Sequence, residues 1–295
     1  MSGAGGLPPT EGVDETTRGL DALPVEELIA TLTRSQGRAF DAVLRAGPAL
    51  SVAVERIAGL LAAGGSLHYA GAGTSGRLGT LDAAECPPTF GTPPELVRAH
   101  IAGGSEALIR AVEGAEDDAA AGEREARAVR AGDAVIGLSA GGTAPYVVAF
   151  VRTARALGAY TIGMSSNPDS PLSQASEHPI ALETGPEPLS GSTRLVAGTA
   201  QKLALNAIST AVMVRLGKVH DNLMIDVVAT NAKLRARALR LVQTLVACDA
   251  SEAERLLERA GGSVKVAVVM ARRSVDAEAA RALLRREEGK LRALL

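Results

Sequence analysis

Val25, Leu28, Ile29 and Leu32 recur at intervals of three and four, the spacing that lines one face of a helix, and predict a helix over 24–33. A second helix is predicted over 47–63, where Gly64-Gly65 halts the pattern. The chain then changes to short apolar runs closed by glycine or polar residues. Leu67-His68-Tyr69-Ala70, ending in Gly71-Ala72-Gly73, predicts a strand, as do 96–102, 134–139, 160–165 and 178–182. Helical segments are predicted between them over 75–84, 105–130 and 145–157, with a long amphipathic one over 193–216. This alternation predicts an α/β fold, a parallel sheet covered on both faces by helices. Beyond about Asn231 the strand signals stop, and helical pieces over 232–245, 251–260, 264–273 and 276–285 predict a small helical C-terminal domain. Ser251 with Glu254 forms a candidate capping box there, and Ser263 and Asp276 can cap in the same way. The expected organisation is an N-terminal arm and helix over 1–45, with residues 1–10 mobile, a sheet domain over 46–230 and the helical domain over 231–295.

Composition narrows the function classes. The 295 residues are 46% hydrophobic and 22% charged, a globular balance, and the net charge of −2 gives no electrostatic reason to expect nucleic acid. Three Tyr, three Phe and no Trp leave little for base stacking or an aromatic sugar cleft. The four histidines, at 68, 100, 178 and 220, and the two cysteines, Cys86 and Cys248, show no metal-ligand spacing. No cofactor is therefore expected. The start MSGAGGLPPTEG lacks signal-peptide order and no run of 18 apolar residues occurs, so the expectation is a cytoplasmic protein with no membrane partner.

Three hydroxyl-bearing turns carry the candidate chemistry. The first strand runs into Gly71-Ala72-Gly73-Thr74-Ser75-Gly76, where glycine lets the backbone approach a ligand and the next helix offers unpaired N–H groups. It is neither a Walker loop nor a clean dinucleotide fingerprint, and taken alone a plain strand-to-helix turn explains it equally well. The third strand ends in Ser139-Ala140-Gly141-Gly142-Thr143-Ala144 before Pro145, and Ser190-Gly191-Ser192-Thr193-Arg194 precedes the long helix. Ligands bind at the carboxyl ends of parallel strands, so the turns point to a phosphorylated small molecule. The residues expected to hold it are Gly73, Thr74, Ser75, Ser139, Gly141, Thr143 and Ser192.

Two acidic segments add candidate acid–base groups. Glu85 in Asp82-Ala83-Ala84-Glu85-Cys86-Pro87-Pro88 falls where two prolines are expected to end a helix, beside the negative end of its dipole. Glu113-Gly114-Ala115-Glu116-Asp117-Asp118 reads, on its own, as a solvated helix face.

The stretches GAGTSGRLGTLDAAECPPTFGTPPELV, IAGG, EGAEDD, GSTRL-AGTAQKLALNAIST and GKV--NLMIDVVATN-KL closely resemble the N-acetylmuramic acid 6-phosphate etherases, and the likeness runs from Thr10-Glu11 to the C-terminal helices. The resemblance implies a sugar-isomerase (SIS) α/β domain with a small helical domain, working as a homodimer on a phosphorylated amino sugar. It implies cleavage of the D-lactyl ether of N-acetylmuramate 6-phosphate to N-acetylglucosamine 6-phosphate and D-lactate during cell-wall recycling. By motif, the family's proton donor falls on Glu85 and its second catalytic acid on Glu116.

The sequence departs from the family pattern at several positions expected to face the ligand. Gly141 stands for a serine, Thr143 for an arginine, Val196 for a lysine, Asp14 for an asparagine and Asp221 for a glycine. The altered second turn is similar to that of glucokinase regulatory protein, so a sugar-phosphate-binding regulator, or an etherase-like enzyme with another substrate, is the alternative. Either Glu85 or Glu116 could take the C2 proton. Arg194 and Lys202 read equally as ligand neighbours or as helix-face residues. His68 and Cys86 read as packing residues and Asp226 as a turn-ordering one, while His220 takes no role.

Overall fold

The computed structural model describes residues 8–226 and 232–295. Residues 1–7 of the expected arm and the expected domain boundary at 230/231 lie outside these. The chain divides into two compact units, residues 1–83 with 95–208 and residues 84–94 with 209–295.

The first unit opens with three helices, α1 (Val25–Ser35), α2 (Gly37–Arg45) and α3 (Gly47–Ala62). In α3, Pro48 fits the first turn, where a missing N–H costs nothing, and Leu50, Ala53, Val54, Ile57, Ala58 and Leu61 are buried at helical spacing. The alternation then begins: β1 (Leu67–Gly71), α4 (Gly73–Phe90), β2 (Val97–Ile101), α5 (Ala119–Ala126), β3 (Ala134–Leu138), α6 (Pro145–Ala156), β4 (Tyr160–Ser165), α7 (Pro171–Ala175), β5 (His178–Ala181) and α8 (Val196–Arg215). The five strands are all parallel, in the order β2-β1-β3-β4-β5. Every residue of β1, β3 and β4 is buried, while the edge strands β2 and β5 are partly exposed. That explains the largely apolar run of the inner strands, with His68, Thr161 and Ser165 as buried polar exceptions. Helix α6 packs on β1, β3 and β4 through Tyr146, Val147, Phe150 and Val151, and α5 lies against it.

The second unit contains a two-stranded antiparallel ribbon, β6 (Val219–His220) and β7 (Leu223–Met224), and four helices, α9 (Ala232–Val246), α10 (Ala250–Arg259), α11 (Val264–Arg273) and α12 (Ala277–Arg286). Its core gathers Val242, Ala253, Val268, Val269, Ala280 and Leu291. Among the described residues no helix is long and apolar enough to cross a membrane.

Several expectations need correction. Pro87 and Pro88 do not end α4, which continues to Phe90; Gly91, with a φ of 63°, closes it as its N–H bonds Pro87 O. The expected helix over 105–130 is broken into two 3-10 turns, Gly104–Leu108 and Ala115–Asp117, before α5, because Gly103, Gly104 and Gly114 take left-handed φ values. Helix α2 was not anticipated. Residues 8–10 are not a loose arm: Thr10 is fully buried and opens into a 3-10 turn over Pro9–Glu11. Helix α10 is capped by Asp249, which accepts the Glu252 N–H at 2.8 Å, whereas Ser251 accepts from Arg255; Ser263 and Asp276 cap α11 and α12 as expected.

Candidate active site

A cleft of about 430 Å³ opens at the carboxyl edge of the sheet, where β1 and β3 end. The first turn contributes Gly73, Thr74 and Ser75, and the second contributes Ser139, Gly141 and Thr143. Glu116 and Asp117 from the acidic segment line the same cleft, together with Glu11 and Thr193. Six of the seven residues expected to hold the ligand, and one of the two expected catalytic acids, are thus brought together. Ser192 is not among the lining residues; its neighbour Thr193 is. Glu85 is exposed on α4, ten residues beyond Ser75, in the part of that helix belonging to the second unit.

Close backbone packing builds the first turn. A Cβ on Gly71 would meet Gly76 N at 2.6 Å, and one on Gly76 would meet Ile101 Cγ1 at 2.6 Å, so both positions need glycine for β1 to turn directly into α4. Gly76 N–H bonds Ala72 O, which leaves the N–H groups of Gly73, Thr74 and Ser75 as the first turn of an 18-residue helix. Such N–H groups carry the positive end of the helix dipole. Among the described residues no Lys, Arg or His lines the cleft; its polar lining is this helix terminus, the hydroxyls and the acidic side chains.

The second turn is fixed by Gly142, whose φ is 73° and whose N–H bonds both Ser139 O and Ser139 Oγ at 3.0 Å. A Cβ there would meet Ser170 at 2.3 Å. Because Ser139 Oγ accepts from the backbone, its own proton can donate outward. Ser75 is held in the opposite sense: its Oγ donates to Gln201 Oε1 at 2.8 Å, and the Gln201 amide nitrogen is buried with no partner among the described residues. A buried unpaired donor costs about 1–3 kcal/mol.

The acidic segment is a 3-10 turn rather than a helix face. Gly114, at a φ of 70°, starts the turn, and the Asp118 side chain ends it by accepting the Ala121 N–H at 2.8 Å to cap α5. Ala115 packs against the cluster holding Tyr146 and Phe150, which leaves Glu116 and Asp117 turned to the cleft. The sequence reading missed Glu11. Its turn is pinned as Asn167 Nδ2 donates to Thr10 Oγ1 at 3.2 Å and to Gly141 O at 2.9 Å. The available signal was that the family likeness begins at Thr10-Glu11.

Helix α8 does not offer its N-terminus to a ligand. The buried Glu187 carboxylate accepts the N–H groups of Val196 and Ala197 at 2.8 and 2.9 Å. Burial pushes the Glu187 pKa up, against those two hydrogen bonds and the charge of Arg38. Lys202 donates to Asn206 Oδ1 at 2.6 Å along its own helix, which favours the helix-face reading of that residue.

Comparison with known proteins follows the same outline. Residues 49–155 match the model of the glucokinase regulatory protein N-terminal SIS domain, and residues 112–211 match that of the SIS domain. Over 288 residues the chain is 51% identical to the N-acetylmuramic acid 6-phosphate etherase of Deinococcus radiodurans, covering 97% of this chain and 94% of that protein. It is 48% identical over 288 residues to the N-acetylmuramic acid 6-phosphate etherase of Serratia proteamaculans, covering 97% of each. The chain belongs to the N-acetylmuramic acid 6-phosphate etherase family. Its fold is that of SIS proteins: a phosphoheptose isomerase from Francisella tularensis superposes with a TM-score of 0.51 at 18% identity, covering 65% of this chain and all 100% of that one.

The departures from the etherase pattern do not all fall on ligand-facing turns, as expected from sequence; only Gly141 and Thr143 line the cleft. Val196 is fully buried at the start of α8. Asp14 accepts the Thr16 N–H at 3.0 Å and pairs with Arg38 at 2.9 Å, a structural role. Asp221 sits at a φ of 53° in the β6–β7 turn, where glycine is the default and Asp is among the tolerated replacements. Asp226 pairs with Lys265 at 2.9 Å and Lys218 at 3.0 Å, in keeping with a structural role.

Proposed function

We propose that this chain cleaves the D-lactyl ether of N-acetylmuramate 6-phosphate, releasing D-lactate and N-acetylglucosamine 6-phosphate. In the open-chain aldehyde the carbonyl acidifies the C2 proton and the ether oxygen at C3 is a β leaving group. One carboxylate takes the C2 proton, the C3–O bond breaks with its electron pair going to oxygen, and a carboxylic acid protonates the departing lactate. Water then adds to the unsaturated aldehyde, its oxygen at C3 and a proton at C2. Each acid–base group contributes roughly 10²–10⁴-fold. The reading rests on one observation above all: Glu116 shares a cleft with Thr74, Ser75, Ser139 and Thr143 and with the N-terminus of α4.

In this reading the 6-phosphate lies against α4 and the hydroxyls of the first two turns, with Gly73 and Gly141 allowing close approach and Ser192 on the rim. Glu85 is the proton donor by its place in the family motif, and Glu116 is the second acid. The enzyme works as a homodimer in the cytoplasm, in recycling of cell-wall amino sugars. The match to the regulatory-protein SIS domain over residues 49–155 favours a second reading, a sugar-phosphate binder without turnover. Incubation with N-acetylmuramate 6-phosphate separates the two. D-lactate release that Glu116→Gln abolishes supports the lyase, and saturable binding without release supports the binder.

A further inference from the structure

The two serines of the cleft differ in the direction of their hydroxyl protons. Ser139 accepts from Gly142 N–H and keeps its proton for an outside acceptor. Ser75 spends its single proton on Gln201 Oε1, although it lines the same cleft. A phosphate dianion offers acceptors only, so a Ser75 hydroxyl in that sense has nothing to give it. Gln201 is 1% exposed, and its Nε2 is a buried donor without a partner among the described residues. Half a turn about the last side-chain bond exchanges Nε2 for Oε1. Nε2 would then donate to Ser75 Oγ, as Gly142 does to Ser139, and the Ser75 proton would point into the cleft.

We propose that Gln201 is a positioning residue that turns its amide to set Ser75 as a hydrogen-bond donor to the phosphoryl group of the substrate. The side chain must accept in one state and donate in the other from the same place, which Gln can do without changing its protonation, whereas an ionised Glu only accepts and Met or Leu cannot donate. This inference rests on the cleft taking a sugar phosphate, and it adds a residue that touches no substrate.

The test is a double-mutant cycle on the full chain. Gln201→Glu holds the Ser75 proton permanently, and Gln201→Met, of similar size, holds neither sense. Each is made alone and with Ser75→Ala, and KM and kcat for N-acetylmuramate 6-phosphate are measured beside the Kd for inorganic phosphate. Gln201→Glu is expected to raise KM and the phosphate Kd roughly tenfold with kcat little changed, and Gln201→Met less. In the Ser75→Ala background the further effect of Gln201→Glu should fall below about twofold. An effect that persists undiminished without Ser75 would mean charge or packing alone, and would overturn the proposal, as would an unchanged phosphate Kd in Gln201→Glu. Should the variants fail to fold, the side-chain amide signals of Gln201 in ¹⁵N-glutamine-labelled wild-type protein decide: they shift on adding inorganic phosphate, or the proposal fails. Wild-type turnover is scored separately, so loss of the lyase reading leaves the phosphate measurements to judge Gln201.

Discussion

The two edges of the parallel sheet carry polar clusters of opposite character. At the carboxyl edge, the cleft presents Glu116, Asp117, Glu11 and several hydroxyls toward open space. At the amino edge, a cavity of about 330 Å³ is lined by Ser66, His68, Arg98, Arg130 and Asp133. There the polar groups answer one another. Asp133 accepts the N–H groups of Ser66 and Arg130, both at 2.8 Å, and lies 3.5 Å from His68 Nε2. His68 Nδ1 meets His100 Nε2 at 3.0 Å, their rings stacked 5.3 Å apart, and Tyr146 donates to Glu125 at 2.6 Å beyond. A hydrogen bond between two imidazoles needs one nitrogen without a proton, so the two rings cannot both be protonated while it holds. Polar groups that satisfy each other stabilise a fold; polar groups turned to open space keep donors and acceptors free for water or another molecule.

That contrast breaks most sharply at Glu116 in the cleft, and the proposed chemistry extends the same test to Glu85, which does not line it. Glu116→Gln should lower kcat by roughly 10²–10⁴-fold with the melting temperature unchanged, and Glu85→Gln should do the same. Wild-type rates in either variant would remove that residue from the chemistry. Asp133→Ala should do the reverse: it strands two backbone donors at about 1–3 kcal/mol each, lowering the melting temperature by several degrees while kcat holds. A large loss of kcat with stability intact would erase the distinction between the edges. A smaller effect is expected from Thr74→Ala, which should raise KM several-fold through lost phosphate contact; KM at the wild-type value would place the phosphate elsewhere.

The amino edge also sets a pH dependence. Burial, then His68 and Arg98, push the His100 pKa down to about 4, and burial lowers His68 as well despite the charge of Asp133. Below its ordinary pKa of 6.5 the unfolded chain binds a proton that native His100 refuses. Its contribution to stability is therefore complete above about pH 6.5 and is lost as pH falls toward 4, by at most about 1.4 kcal/mol per pH unit. Thermal melts across that range should show the slope, and His100→Gln, which can hydrogen-bond without titrating, should flatten it.

The strands were readable because three of them are buried on both faces, which favours mostly apolar runs, the clearest being Val135-Ile136-Gly137-Leu138. The hydroxyl turns were readable because Gly71, Gly76 and Gly142 mark close approaches that only glycine permits. What local pattern could not give was set by tertiary contacts. The Ala, Glu and Arg content of 105–130 favours a helix, yet left-handed glycines and the packing of Ala115 impose two short turns that aim Glu116 into the cleft. Pro87 and Pro88 ordinarily stop a helix, and here α4 runs through them. Glu11 reaches the cleft on a turn that Asn167, 157 residues away from Thr10, helps hold in place, as does Ser190 by donating to Gly12 O.

The most direct measurement is the fate of solvent oxygen during turnover. N-acetylmuramate 6-phosphate incubated with the wild-type protein in H₂¹⁸O should yield unlabelled D-lactate and N-acetylglucosamine 6-phosphate carrying the label at C3. Label in the lactate instead, or saturable binding with neither product formed, would contradict the account.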